Sequence, residues 1–126
     1  PNVSASMYQP DVDFLGAYLD YLADIQRTLT PETLVLPGHD WPFTDGPTRA
    51  EELIAHHHHR LDQIMARAAQ GPMTVADGMQ VLFNRVFGAH ELFFASGESA
   101  AHMIHLVTTG RLTTATRDGV VYYTAA

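Results

Sequence analysis

The C-terminal end of the chain changes its period and thereby limits the folds that it can adopt. Two β-prone runs, 112–116 and 120–124, flank the dipeptide Asp118-Gly119. An Asp-Gly pair between two such runs is the strongest short-range signal for a β-hairpin. Most of the chain before residue 112 instead has helical periodicity. The sequence therefore predicts a mostly α fold with a small β component (α+β), with amphipathic helices first and a hairpin over 112–124 at the end.

The first two helices are predicted from apolar residues that recur at steps of three and four. The first covers 11–29, with Asp11 as its N-cap, and stops because Thr30-Pro31 disfavours continuation. The second begins at the apparent capping box Thr48-Arg49-Ala50-Glu51 and stops at Gly71-Pro72. Both helices need a partner for their apolar faces.

A third helix is predicted after Thr74, where Asp77 completes a second capping box. Val86 is still in register with its apolar residues, so the helix is expected to fade at Gly88. A fourth helix is predicted over 99–109. Helices followed by a two-stranded hairpin are the element order of a winged-helix module, so we assign 48–126 to a winged-helix-like domain with its wing at 112–124.

A histidine follows the short apolar run Leu34-Val35-Leu36, which predicts a strand at 33–36. Pro37-Gly38 ends that strand sharply, and His39 comes at once. A histidine on a tight loop at a strand end is well placed to bind a metal, because the loop holds the imidazole while one nitrogen still reaches a cleft. A Gly-His pair alone is more often an ordinary turn.

The other histidines do not complete a metal site. Consecutive helical residues point about 100° apart, so the four side chains of His56-His57-His58-His59 cannot converge on one ion. His57 falls on the apolar face and is predicted to be a hydrogen-bonded core histidine. His102 and His105 share a face but have no evident third ligand, and we expect one to be partly buried and the other exposed. We assign no catalytic and no cofactor-binding residue.

Composition restricts the partners of the chain. It has 7 arginines and 14 acids, a net charge of −7, and no cysteine or lysine. Proteins that bind nucleic acid neutralise phosphates with clustered Lys and Arg, and here the arginines are scattered among acids. No apolar run approaches the roughly 20 residues that span a bilayer, and no signal peptide is evident. We expect a cytoplasmic protein without a membrane or nucleic-acid partner.

The order of several segments resembles a known family. They are Tyr18-Leu19-Asp20-Tyr21-Leu22, Leu36-Pro37-Gly38-His39-Asp40, His59-Arg60-Leu61-Asp62-Gln63-Ile64, Gly71-Pro72-Met73-Thr74 and Ala101-His102-Met103. In this order they resemble the C-terminal third of a metallo-β-lactamase superfamily hydrolase with a winged-helix-like appendage. Pro1-Asn2-Val3-Ser4 is similar to the segment that follows the strand with the family's bridging aspartate.

The resemblance implies that 1–47 is the remnant of an αββα metallo-β-lactamase-like domain and that the chain is a fragment of a longer zinc-dependent hydrolase. Small acyl compounds such as thioesters and esters are the implied substrates, and the missing N-terminal domain is the implied partner. His39 corresponds to the family's last metal-ligand histidine, while the other ligands lie upstream. Because a hydrolytic zinc site needs at least three protein ligands, we expect this chain alone to be inactive and to bind no stoichiometric zinc.

Two alternatives compete with this interpretation. A winged-helix nucleic-acid-binding module would use 99–109 as its recognition helix, with only Arg111 and Arg117 near the phosphates. A protein-interaction module would dock through its N-terminal helix. In an isolated fragment we expect an apolar face of that helix to be exposed and to cause dimerisation or rearrangement of the N-terminal region; it comprises Phe14, Leu15, Leu19 and Leu22.

Overall fold

A computed structural model describes residues 3–126 as four α-helices followed by a two-stranded antiparallel sheet. The elements are α1 (Phe14–Thr28), α2 (Gly46–Ala68), α3 (Val75–Leu82), α4 (Ala89–Thr108), β1 (Leu112–Arg117) and β2 (Val120–Ala125). This architecture confirms the predicted α+β class with a C-terminal hairpin. Pro1 and Asn2 lie outside the described residues, as does the part of the resemblance that rests on them. Within residues 3–126, no helix has the length and apolar character needed to cross a membrane.

The first two helices begin at residues other than those predicted. Asp13, rather than Asp11, caps α1, since its Oδ1 accepts a hydrogen bond from the Gly16 amide at 2.7 Å. The predicted cap at Thr48 is also wrong, because α2 already begins at Gly46 and Asp45 accepts from the Thr48 amide. Pro47 fits this first turn because an amide there needs no helical partner.

The start of α3 is as predicted, but its end is not. Thr74 and Asp77 form a capping box, in which the Asp77 carboxylate accepts from the Thr74 amide at 2.8 Å. The helix stops at Leu82 rather than near Gly88, because Phe83 turns extended (φ −132°, ψ 96°) and places its ring beneath the Arg60 guanidinium. Val86 lies beyond the helix and is 96% exposed.

The fourth helix is longer than predicted and starts well before residue 99. Its first turn begins at Ala89, where the Glu91 carboxylate accepts from the Gly88 amide at 3.1 Å. The helix stops near the predicted residue, and Gly110 follows with φ +74°. The sequence did not indicate the N-terminal half because its aromatic residues do not follow one buried face: Phe93 is 65% exposed.

The C-terminal hairpin has the predicted turn. Arg117 pairs with Val120, and between them Asp118 and Gly119 have φ angles of 50° and 76°. Positive φ at both central residues is the type I′ geometry that Asp-Gly favours. The hairpin packs against the helices through Tyr123, which exchanges two backbone hydrogen bonds with Met73 (2.9 and 2.8 Å).

One hydrophobic core joins all these elements. Its fully buried members include Leu15 from α1, Leu61 and Ile64 from α2, Met103 and Leu106 from α4, Leu112 from β1, and Met73 from the loop between α2 and α3. The expectation that the apolar face of the N-terminal helix is exposed is therefore wrong. Leu15 is 0% and Leu22 is 3% exposed, while Phe14 and Leu19 are partly buried against the core. This face of α1 packs within the chain, and the expected dimer stays a prediction. The domain boundary at residue 47 stays a prediction.

Candidate functional site

The His39 turn is a loop closed by one pair of residues. The Val35 amide donates to the Phe43 carbonyl at 2.8 Å, and the Phe43 amide donates back to the Val35 carbonyl at 3.1 Å. Within the described residues, this single bridge is all that forms of the strand predicted at 33–36. Asp40, next to His39, has φ +69°, a left-handed conformation that Asp tolerates better than most residues.

The beginning of α2 holds this loop close to the end of α1. The Asp45 amide donates to the Pro31 carbonyl at 2.8 Å. A Cβ atom on Gly46 would lie 3.1 Å from a Leu29 methyl and 3.2 Å from a Val35 methyl. A glycine at the first residue of α2 therefore lets the loop and both helices approach closely, which fixes where the His39 turn lies.

His39 is exposed and lines a groove of about 480 Å³ between the loop and the two helices. The other lining residues are Tyr18, Pro37, Asp40, Trp41, Phe43, Arg49 and Leu53. Trp41 is 87% exposed, so one wall is a free aromatic surface. Arg49, which also lines the groove, forms an ion pair with Glu52 at 2.9 Å. Burial raises the pKa of the Tyr18 phenol, which keeps it neutral and able to donate a hydrogen bond.

A more polar pocket of about 490 Å³ continues along α2 from Arg49 and Leu53, which line both spaces. Its centre is Arg60, whose Nε donates to His56 Nε2 at 2.9 Å and whose Nη1 lies 3.6 Å from Glu98 Oε1. The Arg60 guanidinium also lies 4.7 Å from the centre of the Phe83 ring. Burial raises the pKa of Glu98, and the charge of Arg60 opposes that rise.

Three other histidines have structural contacts in the fold. His57 is fully buried, and its Nδ1 lies 3.1 Å from His102 Nε2, which confirms the predicted core histidine. The expectation for the second pair is wrong: His102 is fully buried, and His105 is partly buried with its Nδ1 2.8 Å from the Asp13 carboxylate. These partners lie 45 and 92 residues apart in the chain, so no local pattern indicates them.

The histidine and acidic side chains of residues 3–126 do not form a complete metal site. Across residues 3–126, no group of three or more histidine or acidic side chains is arranged to hold a metal ion. A hydrolytic zinc site needs at least three protein ligands and an open position. The described residues therefore do not fit a whole site, and the turn presents one imidazole, that of His39.

The helix proposed above for DNA recognition has one buried face and no lysine or arginine side chain in the segment 99–109. In the segment 99–109 the buried side chains are Ser99, Ala101, His102, Met103 and Leu106. A recognition helix must present its side chains to base edges. The absence of lysine from the chain and of arginine from this segment argues against that alternative.

Comparison with known proteins agrees with the features described above. Residues 61–126 match the family model described as metallo-beta-lactamase-like, C-terminal domain. This chain therefore belongs to the metallo-β-lactamase-like family, to its C-terminal domain, and the resemblance inferred from sequence is confirmed. No curated protein gives a significant match.

Two solved structures are similar over nearly the whole chain. A beta-lactamase domain protein from Burkholderia ambifaria has a TM-score of 0.93 and 37% identity over 99% of this chain. A metallo-beta-lactamase family protein from Thermus thermophilus has a TM-score of 0.80 and 28% identity over 100% of this chain. The chain spans 37% and 38% of the length of these two proteins.

Proposed function

We propose that this chain is the C-terminal part of a zinc-dependent hydrolase that acts on a thioester, an ester or a similar small acyl substrate. The observation that carries the proposal is the position of His39, exposed on a turn at the edge of a groove in a chain of this family. In the longer protein His39 would supply one metal ligand, and residues outside 3–126 would supply the others. The chain by itself would be inactive.

The groove beside His39 suits a small acyl compound. Trp41 and Leu53 offer apolar surface for an acyl chain, while Arg49 and the neutral Tyr18 phenol offer polar contacts for a carbonyl or an anionic group. An RNA substrate would require many more positive charges, and the chain has a net charge of −7. These features favour a small acyl substrate over RNA.

The surface around the turn supports an upstream domain as the partner. Val35 points inward and bonds to Phe43, whereas its neighbours Leu34 and Leu36 are 61% and 73% exposed. Together with Trp41 they leave apolar area uncovered beside the groove, and such patches mark interaction surfaces. We propose that residues upstream of this chain cover the patch and complete the groove.

The test uses the longer protein and compares His39→Ala with His59→Ala. His59 is an exposed histidine on α2 and does not line the groove, so it controls for the loss of any histidine. Hydrolysis of a series of thioesters and esters and bound zinc are measured for both variants. We expect His39→Ala to lose roughly 100-fold or more of the activity together with bound zinc, and His59→Ala to keep both. Wild-type activity and zinc content in His39→Ala would refute the role of His39.

A further inference from the structure

A pair of buried histidines connects the second and fourth helices. His57 on α2 and His102 on α4 are both 0% exposed. His57 Nδ1 lies 3.1 Å from His102 Nε2, and His102 Nδ1 lies 2.7 Å from the carbonyl oxygen of Glu98. These contacts form a chain of hydrogen bonds from α2 through both rings to the backbone of α4.

The contacts determine where the hydrogen atoms are. A carbonyl oxygen can only accept, so His102 Nδ1 must carry a hydrogen and donate it to Glu98. In a neutral imidazole the other nitrogen is then an acceptor, so His57 Nδ1 must donate to His102 Nε2. The remaining nitrogen, His57 Nε2, is a bare acceptor, buried and without a hydrogen-bond partner in the described part of the chain.

Neither ring can take up a further proton without a loss. A proton on His57 Nε2 would be a buried donor with no acceptor in the described surroundings. A proton on His102 Nε2 would place two N–H groups against each other and break the bond between the helices. Burial is the main reason that the pKa of each imidazole is lowered to about 4.

The neighbouring groups reinforce the neutral state. From α1 the Tyr18 ring meets His57 edge-on at 5.8 Å. From α2 the pair faces His56 and the positive charge of Arg60, and from α4 it faces His105 and Glu98. Glu98 is the nearby acid, but its carboxylate is already paired with Arg60. No free negative charge in the described surroundings is therefore placed to accept an imidazolium.

We infer that the His57–His102 pair is a proton-sensitive latch, which holds α2 against α4 while both rings are neutral and releases them when protons are taken up. The latch also controls the groove, because α2 carries Arg49 and Leu53, which line it. Release of α2 would dismantle the groove together with the helix interface.

The direction of the pH dependence follows from the two states of each histidine. In the unfolded chain a histidine has its ordinary pKa, near 6.5, whereas in the folded chain each of the pair has a pKa of about 4. The stability from the latch is thus complete above about pH 6.5 and is lost as the pH falls towards 4. Between about pH 6.5 and 4 unfolding takes up about two protons at the pair. The equilibrium constant for unfolding should therefore rise up to about 100-fold for each unit by which the pH falls.

The first test is spectroscopic and uses the wild-type chain. Long-range ¹H–¹⁵N spectra identify the tautomer of each imidazole, and we expect both rings in the Nδ1–H form, without titration between pH 7 and pH 5. Rings in the Nε2–H form, or rings that titrate with the ordinary histidine pKa while the chain is folded, would overturn the latch. Since this measurement needs no variant, it decides the proposal even if the substitutions below prevent folding.

The second test counts protons. Urea unfolding is followed by circular dichroism between pH 4.5 and 6.5 for the wild type, His57→Asn, His102→Gln and the double variant. His57→Asn keeps a side-chain N–H near the position of Nδ1, and His102→Gln keeps an acceptor. Each single variant should take up about one proton fewer on unfolding, and the double variant about two fewer. His58→Gln, an exposed position on the same helix, serves as the control and should keep the wild-type slope. A double variant with the wild-type slope would contradict the proposal.

Discussion

Replacement of Arg60 by methionine should destabilise the chain at neutral pH, because it leaves the buried Glu98 carboxylate without its cation.

 The Arg60 and Glu98 side chains are only 16% and 8% exposed, and the nearest nitrogen and oxygen are 3.6 Å apart. Methionine retains an unbranched side chain of similar length but lacks the guanidinium that lies over the Phe83 ring, so the variant mainly tests the charge.

The magnitude follows from the burial of the pair. Removal of one partner from a buried ion pair costs about 3–5 kcal/mol, because the other charge stays buried and uncompensated. Arg60 retains some exposure and the 3.6 Å separation is longer than a good charged hydrogen bond, so we expect about 2–3 kcal/mol at pH 7.

The loss should become smaller in acid. Burial raises the pKa of Glu98 and Arg60 opposes the rise, so removal of Arg60 lets the pKa of Glu98 rise further. A carboxyl whose folded pKa exceeds its unfolded pKa binds a proton more readily in the folded chain, and its contribution to stability is lost as the pH rises. The difference between wild type and Arg60→Met should therefore be largest at pH 7 and smaller near pH 5.

Urea unfolding of the wild type and of Arg60→Met at pH 7 and at pH 5 measures this difference. Each variant is compared with the wild type at the same pH. Arg60→Met/Glu98→Gln, which removes the stranded charge, should recover most of the loss at pH 7. Arg27→Met is the matched control, because the Arg27–Asp24 pair is exposed and should contribute less than about 1 kcal/mol. A loss below about 0.5 kcal/mol for Arg60→Met, or an equal loss at both pH values, would refute the reasoning.

Two glycine substitutions give further predictions. Gly78→Ala would place a Cβ atom 2.6 Å from Ser99 Oγ and 3.0 Å from Met103 Sδ, and should destabilise the chain by about 1–3 kcal/mol as α3 moves away from α4; unchanged urea unfolding would show that the interface is looser than described. Gly119→Val puts a β-branched residue at φ +76° in the hairpin turn and should cost about 1–2 kcal/mol. Full retention of the thermal midpoint in Gly119→Val would contradict the type I′ turn.

The parts of the fold that were predicted correctly depend on local interactions. Asp118-Gly119 forms the turn that its two residue types favour, and Thr74 and Asp77 form a capping box across a single helical turn. In both cases residues a few positions apart decide the geometry. The apolar periodicity of α1 and α2 likewise indicated helices at these two places, and both are present.

The errors arise where contacts between distant residues decide the structure. Asp11 rather than Asp13 was predicted as the cap of α1. One carboxylate oxygen of Asp13 caps the helix and the other lies 2.8 Å from Nδ1 of His105, a residue 92 positions away. The third helix stops at Leu82, where Phe83 turns towards Arg60 on α2. Local patterns contain no information on such partners.

In the candidate site, too, the local feature could be predicted and the feature that depends on packing could not. The position of His39 on a turn was predicted from Pro37-Gly38, which ends the apolar run before it. The groove could not be predicted, because it exists only once α1, α2 and the loop pack together and bring Tyr18 and Arg49 to the same space.

The most direct test of the central claim is a calorimetric titration of this chain with zinc. If His39 is one ligand of a site whose other ligands lie outside residues 3–126, the chain should show no one-to-one zinc binding tighter than about 1 μM, because one imidazole cannot hold the ion in a defined geometry. A one-to-one site with sub-micromolar affinity would contradict the account, since the chain would then contain a complete metal site of its own.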